Sequence, residues 1–95
     1  MDRHSPFHPH AVGRRLTALR EYHGKTRADF AESVQIDKTS YGKIEKGTKP
    51  LKADMAFRIA ERWGVSMDFL YRGRLTELPE SLANSLLVNL NKPEA

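Results

Sequence analysis

Apolar positions recur at helical spacing along most of the chain, and capping or turn residues interrupt them at short intervals. Val12, Leu16 and Leu19 form one stripe, His23 continues the spacing and Gly24 ends it, so residues 11–22 predict a first helix. Thr26 with Asp29 three residues later fits a capping box, and Phe30, Ala31 and Val34 give residues 26–34 one apolar face. Asp37 is a good N-cap for a third helix over residues 38–46, with Tyr41 and Ile44 inward and Gly47 then Pro50 as the stop. A fourth helix, residues 53–63, turns Ala56, Ile59, Ala60 and Trp63 inward and ends at Gly64. Ser66 caps a short fifth helix reaching about Tyr71, and Val65, Met67 and Leu70 close the core.

The last stretch differs in kind. Leu78, Leu82, Leu86 and Leu90 recur every four residues, with Leu75 before them and Leu87 beside them. Residues 76–91 therefore predict an amphipathic helix with almost no charge, and Pro79 suits its first turn. A leucine stripe this long needs cover. We expect it across a homodimer interface, with packing back on the same chain as the alternative. Residues from Lys92 are expected to fray.

Ninety-five residues allow one small domain. The expected division is an N-terminal arm (1–10), a compact all-α domain (11–74) and a C-terminal amphipathic helix with its tail (75–95). Up to Arg74 the chain carries 15 basic and 9 acidic residues, and beyond it 1 and 3. A basic front with an acidic tail suits a polyanion-binding domain with an appendage. Arg14 and Arg15 are expected largely outside the first helix. In the third, Lys38, Thr39 and Lys43 lie away from Tyr41 and Ile44. That face offers positive charge and hydrogen-bond donors, the chemistry that reads base edges in a DNA major groove.

These segments together resemble a known family. LTALREYHGKTRADFAE, IEKGTKP and IAERWGVSMDFLYRG stand in the order and spacing of the phage-repressor/Cro (XRE-type) helix-turn-helix domains, from about Val12 to Gly73. The resemblance implies a lambda-repressor-like five-helix domain followed by the amphipathic helix. It implies double-stranded DNA as partner and residues 38–46 as the recognition helix of a transcriptional regulator, a repressor working as a homodimer. Carried over position by position, it implies base contacts from Lys38, Thr39 and Lys43. Phosphate contacts would come from Arg27, Ser40, Lys46, Lys49 and Lys52. An ion pair between Arg20 and Glu45 would tie the first helix to the third.

The chain departs from the family at Gln35 and Tyr41, and its third helix carries one oddity besides. Gln35 stands where glycine is usual, and the left-handed backbone expected there costs a non-glycine residue about 1 kcal/mol. Tyr41 replaces a smaller β-branched residue, with its ring expected in the core and its hydroxyl at the rim. Gly42 interrupts the third helix, where it either lets a groove wall approach or is merely tolerated.

Other classes find little support. No nucleophile–base–acid set, phosphate-cradling glycine loop or metal-ligand spacing appears, so neither an enzyme nor a cofactor is expected. His4, His8 and His10 sit in the arm with nothing to order them around a metal, and Arg3 is a candidate minor-groove contact. Cysteine is absent, and no apolar run approaches the ~18 residues of a membrane span. A soluble cytoplasmic protein is expected. The competing function is a protein-binding adaptor or antitoxin-type partner using the leucine stripe; an adaptor would have no need of five lysines between Lys38 and Lys52, whereas an antitoxin would share the DNA-reading site.

Overall fold

The computed structural model describes residue 2 and residues 4–91. Arg3 and the tail from Lys92 lie outside the described residues. Six helices are present among the described residues, and no strand: α1 Pro9–Tyr22, α2 Arg27–Ser33, α3 Lys38–Lys46, α4 Ala53–Trp63, α5 Met67–Arg72 and α6 Glu80–Leu90. The fold is all-α.

Local chemistry sets the boundaries. The Thr26 hydroxyl accepts from Asp29 N, the Asp37 carboxylate from Ser40 N and the Ser66 hydroxyl from Phe69 N, so α2, α3 and α5 each start on a side-chain cap. α1 begins at Pro9, inside the segment expected to be an arm. Proline has no N–H to lose in a first turn, and His8 Nδ1 accepts from His10 N to cap the start. Pro79 sits just before α6 as its N-cap residue.

α1 is the hub, packing against α3, α5 and α6, while α2 packs on α3 and α4 on α5. Leu16, Leu19, Phe30, Tyr41, Ile44, Ile59, Phe69 and Leu70 are fully buried between them. Gly13 makes the α1–α3 crossing possible. A Cβ there would overlap the Glu45 carbonyl oxygen and stand 2.8 Å from the Ile44 oxygen, so the two backbones touch.

Three expectations need correction. Arg15 is buried rather than outside. Its Nη1 donates to the Pro6 and Leu70 carbonyl oxygens, which satisfies the head where burial pulls its pKa below the ordinary arginine value. Arg14 is half-buried, and its Nη2 donates to the Leu90 carbonyl at the end of α6, where a helix favours a cation.

The third correction concerns the leucine stripe, expected at an interface between chains. Leu82 and Leu86 belong to this chain's own core, with Leu78 and Leu90 packed partly buried against it. The hydrophobic effect is non-directional, so the nearest apolar surface suffices, and α1 supplies it. Each fully covered leucine contributes about 1.5–3 kcal/mol.

Candidate nucleic-acid interface

The turn between α2 and α3 aims the third helix. Gln35 has φ +58°, a left-handed conformation, and Ile36 N donates back to Ala31 O at 3.0 Å. Arg58 of α4 holds the turn from behind, its Nε donating to Val34 O at 2.8 Å. Trp63 is buried against the same end of α2. Its Nε1 donates to the Ser33 hydroxyl, and its ring stacks on Phe30 at a centroid distance of 5.3 Å.

Underneath α3, Tyr41, Ile44 and Glu45 are buried. Glu45 is the fixing point. Its carboxylate accepts from Arg20 Nε at 2.7 Å and Arg20 Nη2 at 3.2 Å, from Thr17 Oγ1 at 2.9 Å and from Arg27 Nε at 3.2 Å. One buried group of α3 is thus held from both α1 and α2. Burial alone would raise the Glu45 pKa. The hydrogen bonds, first among them those of Arg20, outweigh it and leave the carboxyl below its ordinary value. The Tyr41 hydroxyl was expected at the rim but is buried, without a hydrogen-bond partner among the described residues. Burial, then the Glu45 charge, pushes its ionisation far above the ordinary tyrosine range, so it stays a neutral core group that no phosphate reaches.

On the outer side, Lys38, Thr39, Lys43 and Lys46 are exposed, with Ser40 and Gly42 half-buried among them. The loop after α3 folds back on the helix. Thr48 Oγ1 donates to Lys43 O, and Lys49 Nζ donates to the Ser40 hydroxyl at 3.0 Å. Lys49 is therefore gathered to the first turn of α3, whereas Lys52 stands exposed at the N-cap of α4. Arg27 opens α2 with its side chain 54% exposed, one edge on Glu45 and the rest of the guanidinium toward solvent. Chemically, the arrangement is a rigid helix presenting cationic and hydroxyl donors, flanked by further cations. Among the described residues no group of three or more His, Cys, Asp or Glu is placed to hold a metal ion.

Sequence reasoning missed several residues that position this face. The apolar stripes and the charge pattern assign no role to Thr17, Gly13 or Arg58. Gly13 did carry a signal, being a glycine inside a strong helical pattern. No helix among the described residues is long and apolar enough to cross a membrane.

A family model described as a helix-turn-helix domain matches residues 13–75, about two thirds of the chain. Neither the curated proteins nor the solved structures gave a match.

Proposed function

The chain belongs to the helix-turn-helix domain family, and from that premise we propose that it is a sequence-specific double-stranded DNA-binding regulator of the phage-repressor type. The family supports a DNA-binding regulator in general; the finer reading rests on α3. One observation carries it. Buried Glu45, held by donors of α1 and α2, fixes a helix whose outer side presents Lys38, Thr39 and Lys43. A rigid helix carrying donors on its free side can enter a major groove and discriminate base pairs there.

In this reading, lysine at positions 38 and 43 donates to guanine O6 and N7, and Thr39 offers a hydroxyl donor and a methyl for thymine. Arg27, Ser40, Lys46, Lys49 and Lys52 meet phosphates and fix the docking angle, adding affinity without sequence information. The protein acts by occupancy as a cytoplasmic repressor, covering an overlapping promoter, and no chemical step is involved. Two copies read two half-sites about one DNA turn apart. Since the inner leucines of α6 are used within the chain, the contact between copies falls to its outward side, where Leu87 and Val88 stand exposed.

Selection from a random duplex library tests the proposal. Enrichment of a palindromic motif is the expected result. Enrichment of single half-sites would remove the dimer. Binding without enrichment, weakening steeply with salt, would reduce the protein to a backbone binder. Failure to bind any duplex would overturn the reading.

A further inference from the structure

Gly42 has no reason to be glycine within its own chain. It lies in the interior of α3, where glycine is the poorest helix former after proline. Its backbone is not in the left-handed region, and a Cβ built there would meet nothing within 4 Å. Gly13 and Gly47 differ. At Gly13 a side chain would collide with α3, and at Gly47 φ is +81° with the His10 Cα 2.7 Å from the Cβ position. Gly42 alone among these three is a vacancy facing outward.

Its neighbours on the helix say what it faces. Lys38 and Thr39 lie one turn before it, Lys46 one turn after and Lys43 beside it, all exposed. The vacancy thus lies on the flank of the donor face, between Lys38 and Lys46. Glycine is the residue that lets a backbone approach a ligand closely.

We infer that Gly42 is a specificity-determining position, where the α3 backbone lies directly against the floor of the major groove. The inference rests on α3 being the recognition helix. The bare backbone sets the depth of insertion. At that depth Lys38 and Thr39 reach bases on one side of the contact and Lys43 on the other. A side chain at position 42 lifts the helix and stretches the base contacts of all three, more so the larger it is, while longer-range phosphate attraction survives.

The test separates folding from reading. Gly42→Ala and Gly42→Leu are made in the full chain, and each is measured by thermal unfolding and by titration against two duplexes. One is the site the wild type selects and the other a scrambled duplex of equal length. Both variants are expected to melt several degrees higher, since both residues favour helix and a Cβ at this position has nothing within 4 Å. Affinity for the selected site should fall about tenfold in Gly42→Ala, the size of one lost base-pair contact, and further in Gly42→Leu. Affinity for the scrambled duplex should hold within about twofold, because phosphate contacts dominate it. A variant that binds the selected site as tightly as the wild type overturns the inference, as does one that melts lower. A wild type that selects no site overturns the recognition-helix reading instead, and does so before any variant is made.

Discussion

Truncating Arg20 to alanine tests the device that holds α3. The Glu45 side chain is 1% exposed and that of Arg20 12%, so the pair is largely out of water. Arg20 supplies two of the hydrogen bonds to the carboxylate, and Thr17 and Arg27 one each. Removing one partner of a buried pair costs about 3–5 kcal/mol, because the other charge is left uncompensated. Arg27 and Thr17 remain here, but Arg27 is half in solvent, so we expect a loss of about 2–4 kcal/mol. For a domain of this size that lowers the melting temperature by roughly 10 °C or more. The assay is thermal unfolding followed by circular dichroism at neutral pH.

A double variant, Arg20→Met with Glu45→Leu, removes both charges and should recover most of the loss, since apolar replacement of a buried pair is often neutral. The pH dependence gives an independent reading. The Glu45 carboxyl is depressed in the folded state, so its contribution is fully present above its ordinary 4.5 and disappears as pH falls through the lower folded value. Arg20→Ala should flatten that acid limb. An Arg20→Ala variant melting within about 2 °C of the wild type would put the pair at the worth of an exposed surface bridge, and α3 would then be held by something else.

Gln35→Gly should raise stability by about 1 kcal/mol in the same melt, because φ +58° strains glutamine and not glycine. Gly13→Ala should do the opposite, by about 1–3 kcal/mol, since a Cβ would be driven into the backbone oxygens of α3. His23 sets a mild-acid response. Its ring lies 4.5 Å from that of Trp63 with Nε2 buried and unpartnered among the described residues, and burial, then the charges of Arg62 and Lys25, hold its pKa below 6.5. The unfolded chain therefore binds the proton more readily. Stability should be complete above pH 6.5 and decline as pH falls from there through the folded value, and melting curves of His23→Phe should lack this decline.

The elements were legible because their ends are written in local chemistry. Thr26, Asp37 and Ser66 cap their own helices, and Gly47, Gly64 and Gly73 end theirs in left-handed conformations. Gln35 could be read as a left-handed residue only through the resemblance, since nothing in glutamine itself asks for that backbone. Burial of charge was not legible. Arg15 lies inside because two backbone carbonyls, 9 residues before it and 55 after it, converge on its head. A spacing pattern holds no record of such convergence. The α6 leucines show a related limit. Periodicity states that a stripe must be covered, but α1 covers this one, and only the fold could say so. Phe69, fully buried, was passed over because the short α5 offers too few positions to define a face.

In the proposed function the outer side of α3 reads base identity. Binding of wild type and Lys38→Ala to every single-base-pair variant of the selected site, at one fixed salt concentration, decides whether it does. Lys38→Ala should lose discrimination at one base pair in each half-site, by about 1–3 kcal/mol, and keep it at the others. A uniform weakening across all variants, with the preference at every position intact, would contradict it by placing Lys38 on phosphate.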